Sequence, residues 1–580
     1  MSDMLHKPEA FGRTMDVGFR MFVKPVDRSE ERFRKVFIKR VQRAKSGLAV
    51  LLAGSILFPS VGLAASSSAA ASYQTATPIK HVVVIFQENR SFDHYFATYP
   101  KAANVSGEPA FTALVDTPSV NNLTSANLIT NNPNSSPANG SGAALPFRID
   151  RTQANTADQN HSYTPEQQAY DAGKMDLFPK YTGSAMSGSS GAFGTKGQVL
   201  GYFDGNTVTA LWNYAQHYAM SDNNWSDTYG PSTPGALEVV AGQTNGLQPI
   251  AGNMLGNAYI HDGQGGYTLI NDEDPAYDRC STPSQVLINA KNIGDLLNEK
   301  GISWGGFMGG FDLTLTNANN TTGCSRSTYS ETVGTRTDYV PHHAWFQYFA
   351  STSNPTHARP NSTASIGFST IPGTSTREPA NHQYDIKDFY TAVKGGNFPA
   401  VSYIKMPAYQ DGHPGNSDPL DEQNGIVTLV NFIQSQPEWA STAIIIDYDD
   451  SDGWYDHAFH KPLWGSFDST ADQLNGPGVC GTAGSAPKGV AGKPVNGRCG
   501  PGTRIPLIVI SPYARRNFVS HDLTSQASVV RFIEDNWLGG KRLGGGSFDA
   551  DAGQINTMFD FTQKPNTTPL VLDPDTGLLR

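Results

Sequence analysis

Two short runs of β-branched residues, each broken off by a burst of polar residues, constrain this chain more than any other feature. Residues 80–86 read KHVVVIF and stop at Gln87, Glu88, Asn89 and Arg90; residues 443–447 read AIIID and stop at Tyr448, Asp449, Asp450, Ser451, Asp452 and Gly453. Continuous apolar runs of strand length suit parallel strands buried on both faces. A run at 504–510 (RIPLIVI) and a stretch at 400–405 read the same way, and residues 301–304 begin a further strand. Helical patterns lie between them at 292–300, 425–434 and 526–537. Strands alternating with helices predict an α/β fold, with a mainly parallel central sheet and helices on both faces. In such sheets the ligand site lies beyond the carboxyl ends of the strands. Both polar bursts fall there.

The rest of the chain is rich in loops. Charged residues make up only 16% of the 580 residues, against 58 Gly and 37 Pro. Stretches near 101–160, 312–380 and 470–502 carry so much Asn, Ser, Thr, Pro and Gly that they are expected as surface insertions. A hydrophobic share of 38% still suffices for a large core and excludes a disordered chain.

Charge is unevenly spread. Residues 1–64 hold 12 Lys/Arg and 6 Asp/Glu, which leaves 30 and 46 for the remainder. An acidic body argues against nucleic acid as a partner. The basic excess precedes an apolar run at 48–64 and small residues at 62–65, the pattern of a secretory signal. The expected plan is therefore an n-region and signal peptide over 1–64, a flexible Ser/Ala leader over 65–78, and a catalytic domain over 79–580, exported to the periplasm or beyond. An uncleaved anchor is the alternative, although the run is short and interrupted by Ser55 and Pro59. Met21 is an alternative start, and no twin-Arg pair is present. The even set Cys280, Cys324, Cys480 and Cys499 favours disulfides in an exported chain, and the nearest-neighbour pairs are expected.

Glu88, Asn89, Asp449 and Asp450 are hard oxygen donors. Brought together they would repel one another unless a divalent cation lay between them. Taken singly, each pair also reads as ordinary loop polarity. Ser232 stands in Gly230-Pro231-Ser232-Thr233-Pro234-Gly235, a tight turn before an apolar stretch. It reads either as a helix N-cap or as a hydroxyl placed to attack phosphorus. His161, His342, His343 and His413 are candidate imidazoles for holding phosphoryl oxygens or protonating a leaving oxygen. Each alone also suits an ordinary loop histidine.

As an ordered set, HVVVIFQENRSFDHYF, GPSTP, the His342-His343 pair, DGHPG and IIIDYDDSDGWYDH resemble the bacterial phosphoesterase family of phospholipases C and acid phosphatases. The resemblance runs from about residue 78 to 540. It implies an alkaline-phosphatase-like core, with one divalent metal of unnamed identity at Glu88, Asn89, Asp449 and Asp450. It implies Ser232 as nucleophile, His342 and His343 as catalytic, and His161 and His413 at the phosphate. Many phospholipase members carry Thr as nucleophile, Asn at the position of Gly235 and Glu at the position of Asp450. This chain resembles the acid phosphatases more. The expected activity is an acid phosphatase working through a phosphoserine on a small phosphate ester. The rival is a phospholipase C acting on phosphatidylcholine-type lipids with transient membrane contact, its acyl approach formed by Phe311, Tyr329, Trp345 and Phe346. A third alternative, an exported binding protein without catalysis, would lack a ligand or the nucleophile, and neither is missing. A sulfatase is disfavoured because the C/S-x-P-x-R motif is absent around Ser232.

Overall fold

The computed structural model describes residues 69–250 and 257–580. The expected signal over 1–64 and the start of the expected leader lie outside the described residues. Within residues 69–78, Ala70 is buried and Thr77 is hydrogen-bonded to Asn536, while Ala69, Ser72, Gln74, Ala76 and Pro78 are exposed.

Among the described residues, eight strands form the central sheet. They are β1 (His81–Gln87), β2 (Ala219–Ser221), β3 (Trp304–Met308), β4 (Gln383–Asp385), β5 (Val401–Lys405), β6 (Thr442–Tyr448), β7 (Leu507–Ile510) and β8 (Phe518–Ser520). Their spatial order is β4-β3-β5-β1-β6-β7-β2-β8. The pairs from β4 to β6 are parallel, as is β2 with β8, while β7 runs against both neighbours. The two polar-ended runs are thus central neighbours, in register through Val83↔Ile444 and Ile85↔Ile446. Every residue of β1 and of β6 is buried. Side chains alternate between faces along a strand, so the sheet is covered on both sides.

The covering helices are α1 (Phe92–Phe96), α2 (Tyr163–Tyr170), α3 (Thr209–His217), α4 (Ser232–Ala241), α5 (Ile293–Lys300), α6 (Ile386–Lys394), α7 (Pro419–Gln434) and α8 (Ala527–Trp537). One group packs α4 on α5 and α8; another packs α3 and α6 on α7. Local chemistry sets their ends. The Asp418 carboxylate accepts from the amides of Leu420 and Asp421 and Pro419 fills the first turn, so α7 begins six residues earlier than its apolar pattern suggests. The Asn292 amide donates to Asp295 Oδ2 at 3.0 Å at the start of α5, and Gly301 ends it in the left-handed conformation.

The insertions at 101–160, 312–380 and 470–502 are largely irregular, the second carrying a hairpin of Ser327–Ser330 with Gly334–Thr337. A small sheet with strands between Asn245 and Ile288 was not foreseen. Its strands are two to five residues long, too short for a periodicity to register. Both nearest-neighbour disulfides form, Cys280–Cys324 and Cys480–Cys499.

Candidate active site

The polar bursts meet where β1 and β6 end. Asn89 takes a left-handed backbone (φ 56°), a conformation asparagine tolerates better than most residues. Its amide donates to Asp449 Oδ1 at 2.8 Å, and the same oxygen accepts from the Asp450 amide at 2.7 Å. The Arg90 amide donates to the Asp450 carbonyl at 2.9 Å. Hydrogen bonds between neighbouring strand ends therefore fix both pairs of expected ligands.

Their oxygens converge. The Asn89 side-chain amide lies 2.6 Å from Glu88 Oε2, 3.1 Å from both Asp449 oxygens and 3.2 Å from Ser232 Oγ. Glu88, Asn89, Asp449, Asp450 and Ser232 are all buried. Buried carboxylates brought this close repel one another unless a cation accepts their oxygens, so Glu88, Asp449 and Asp450 fit a hard divalent ion. Burial first, and then the charge of neighbouring carboxylates, pushes Asp449 and Asp450 well above the usual carboxylate range. A bound cation would reverse that shift.

Ser232 is the first residue of α4, and the N-cap position belongs to Pro231. Its hydroxyl does not cap the helix. It donates to Glu88 Oε2 at 2.8 Å and lies 3.2 Å from Asn89 Oδ1 and 3.4 Å from Asp450 Oδ2. Two glycines make the placement possible. Gly230 has φ 120°, open in practice only to glycine. A Cβ on Gly235 would fall 2.3 Å from the carbonyl oxygen of Asp449. The first turn of α4 thus rests directly on the loop that carries the acidic pair.

The four expected histidines surround this cluster in different states. His161 Nδ1 donates to the Gln159 carbonyl at 2.8 Å and lies 3.2 Å from Asp452 Oδ1, with Nε2 3.4 Å from Asn89 Nδ2. Burial opposes its charge, but Asp450, Asp452 and Asp158 prevail and raise its pKa well above the ordinary value. His413 Nδ1 donates to the Pro414 carbonyl at 2.7 Å, and burial holds its pKa down. His343 Nδ1 lies 3.1 Å from Glu88 Oε1; burial and then the charges of His342, Lys405, His413 and His161 depress it strongly. His342 sits at the rim, 29% exposed and 3.7 Å from Asp274. Burial lowers its pKa, yet Asp274 and Asp272 more than compensate and raise it.

Sequence reasoning missed three buried groups here. Lys405, the last residue of β5, forms an ion pair with Glu88; burial opposes its charge, but Glu88, Asp449 and Asp411 raise its pKa. Asp411 lies 3.8 Å from His343, and Glu166 bonds both the nucleophile turn and the acidic loop. A lysine ending an apolar strand, and the aspartate that opens the Asp411-Gly412-His413-Pro414-Gly415 motif, were the available signals. Besides the oxygen cluster, donor atoms of Asp158, His161 and His413 lie close together, as do those of Glu88, His343 and Asp411 and those of Asp93, Asp456 and His457.

One expectation is corrected. Phe311, Trp345 and Phe346 are buried in the core rather than lining an apolar approach, and of the four aromatics only Tyr329 is exposed. Trp345 and Phe346 follow the His342-His343 pair and anchor it against Tyr403 of β5.

A model of the phosphoesterase family matches residues 79–538. A non-hemolytic phospholipase C of Pseudomonas aeruginosa is 24% identical over 541 residues, covering 93% of this chain and 65% of the relative, just under two thirds of its length. Phospholipase C B of Mycobacterium tuberculosis is 23% identical over 565 residues, covering 93% of this chain and 88% of the relative. A solved structure described as a protein in the alkaline phosphatase superfamily from Vibrio parahaemolyticus overlaps with a TM-score of 0.25 at 12% identity, over 71% of this chain and 75% of that one. An overlap so low carries no argument.

Proposed function

Because the chain belongs to the phosphoesterase family, we propose that it is an exported phosphoric ester hydrolase that cleaves small phosphomonoesters through a phosphoserine on Ser232. The observation that carries this reading is the Ser232 hydroxyl inside a buried cluster of oxygen donors from Glu88, Asn89 and Asp450. A divalent cation held by Glu88, Asn89, Asp449 and Asp450 would lower the pKa of the Ser232 hydroxyl and offset the charge gathering on the phosphoryl oxygens. Ser232 Oγ gives its proton to a neighbouring carboxylate and attacks phosphorus; the bond to the leaving oxygen breaks, and His342 supplies the proton that oxygen takes up. Water then cleaves the phosphoserine and the serine regains its proton. His342 is the better acid of the adjacent pair, since its pKa is raised while that of His343 is depressed. His161, charged by Asp450, Asp452 and Asp158, and His413 hold the phosphoryl oxygens.

A polar rim favours small esters. His161 and His342 are the partly exposed members of the histidine set, and three of the four aromatics considered for an acyl approach, Phe311, Trp345 and Phe346, belong to the core. The second reading, a phospholipase C, is favoured by the named relatives. Export is supported by the two disulfides, and among the described residues no helix is long and apolar enough to cross a membrane. The test is a panel of aryl phosphate, nucleotide and phosphatidylcholine given to the purified protein with added divalent metal. Faster turnover of the monoesters is expected; diacylglycerol release exceeding phosphate release would overturn the phosphatase reading in favour of the lipase.

A further inference from the structure

We propose that Glu166 is a positioning residue that locks the nucleophile turn to the acidic loop. This rests on the roles given above to Ser232 and Asp450. Glu166 lies on α2, fully buried, and its two oxygens serve two different segments. Oε2 accepts from the Gly230 amide at 2.9 Å, two residues before Ser232. Oε1 accepts from Ser451 Oγ at 3.0 Å, one residue after Asp450. Ser451 Oγ in turn accepts from the Gly453 amide at 3.0 Å, which closes the acidic loop on itself. The helix that carries Glu166 begins two residues after His161. One side chain therefore joins the segments that bear the nucleophile, an acidic ligand and a phosphate-facing histidine.

The geometry makes this carboxyl a brace, without contact to the reacting atoms. Gly230 lies before the N-cap of α4 and in no strand, so its buried amide needs a partner outside regular structure, and Glu166 provides it. A shift of the turn would move Ser232 Oγ relative to Asp450, and misplacements of about 1 Å cost on the order of 100-fold in rate. The bonds do not require a charge. Burial pushes the Glu166 carboxyl up to about 8, against the opposing pull of the Gly230 amide, His161 and Ser451. Glutamine can accept from the Gly230 amide and donate to Ser451 Oγ, so it should preserve the brace, whereas alanine removes it.

The experiment compares wild type, Glu166→Gln, Glu166→Ala, Ser451→Ala and the double alanine variant. It measures kcat and KM on aryl phosphate, bound metal, and hydrogen exchange of the Gly230 amide. Glu166→Ala is expected to lose about 100-fold in kcat with KM changed by less than about 3-fold and metal retained. Glu166→Gln should stay within about 5-fold of wild type, and the double variant should be no worse than Glu166→Ala because both remove one brace. The Gly230 amide should exchange at least about 10-fold faster in Glu166→Ala than in Glu166→Gln. The proposal is overturned if Glu166→Ala keeps kcat within about 3-fold of wild type, if Glu166→Gln falls as far as Glu166→Ala, or if Gly230 exchange does not change. Should Glu166→Ala fail to fold, Ser451→Ala removes one arm without touching α2, and unchanged kcat there overturns the proposal equally. A wild type without phosphoester turnover would sink the functional reading alone, since the exchange comparison still decides whether the brace exists.

Discussion

At the scale of single residues, His342 and His343 show how one sequence pair divides into two roles. Adjacent in the chain, with ring centroids 4.4 Å apart, they face different surroundings. His343 meets Glu88 beneath the surface, while His342 stands at the rim near Asp274. The raised pKa of His342 means that its proton is present below that value and lost as pH rises through it. Turnover of esters with poor leaving groups should therefore fall with rising pH, the fall beginning above the ordinary histidine value. His342→Gln should remove this dependence and slow alkyl phosphates more than aryl phosphates, which leave without help. Equal slowing of both classes would instead assign His342 to holding phosphate. The bare order HH could not separate the two, because the difference comes from Asp274 and Asp272 beside His342 and from the deep burial of His343 near Lys405, none of which adjoins the pair in sequence.

At the scale of elements, the decisive contact is between α4 and the loop after β6. Gly235→Ala would bring a methyl group to within 2.3 Å of the Asp449 carbonyl. Overpacking of this kind costs about 1–3 kcal/mol. Its larger effect should be functional, because the methyl pushes Ser232 away from Asp449 and Asp450 together. Reduced metal content and lost turnover, with the circular dichroism of the fold retained, is the expected result; normal metal binding and turnover would show that the contact yields freely. The elements themselves were well marked in the sequence where burial is two-sided. Strands β1 and β6 announce themselves as unbroken β-branched runs, and α5, α7 and α8 by apolar periodicity. The start of α7 was not legible, because Asp418 and Pro419 set it through capping rather than through an apolar face. The turn around Ser232 read by itself left a helix cap and a nucleophile both open, and only the family resemblance pointed to the second; the hydroxyl lies beside Glu88, 144 residues away along the chain. Lys405 and Glu166 were missed for the same reason, since their partners lie 317 and 64 residues away along the chain.

At the scale of the whole molecule, the fold buries carboxyl groups outside the Ser232 oxygen cluster, and these set how stability responds to pH. Burial, and then the neighbouring Asp549, pushes Glu534 from 4.5 to about 9, against the pull of Arg542 at 3.0 Å. Burial similarly raises Asp227 to about 7. A carboxyl whose pKa is higher in the folded state makes that state hold an extra proton between the two values. Stability therefore falls as pH rises through that window. Thermal midpoints should decline from about pH 5 toward pH 9, and Glu534→Gln, which cannot ionise, should decline less. A wild type that gains stability over this range, or a Gln variant that follows it unchanged, would contradict the assignment.

All of this converges on one oxygen. A covalent phosphoserine splits one difficult displacement into two, and its trapping tests the account more directly than any rate does. Labelled phosphate ester is mixed with the metal-loaded protein, the reaction is quenched in acid during turnover, and the peptide containing Gly230 to Gly235 is sequenced. The account predicts label on Ser232, none on Ser232→Ala, and a loss of turnover in that variant on the order of 10³-fold or more with metal still bound. An unlabelled Ser232 peptide, together with an active Ser232→Ala enzyme, would show that water attacks phosphorus directly and that the serine only occupies the first turn of the helix.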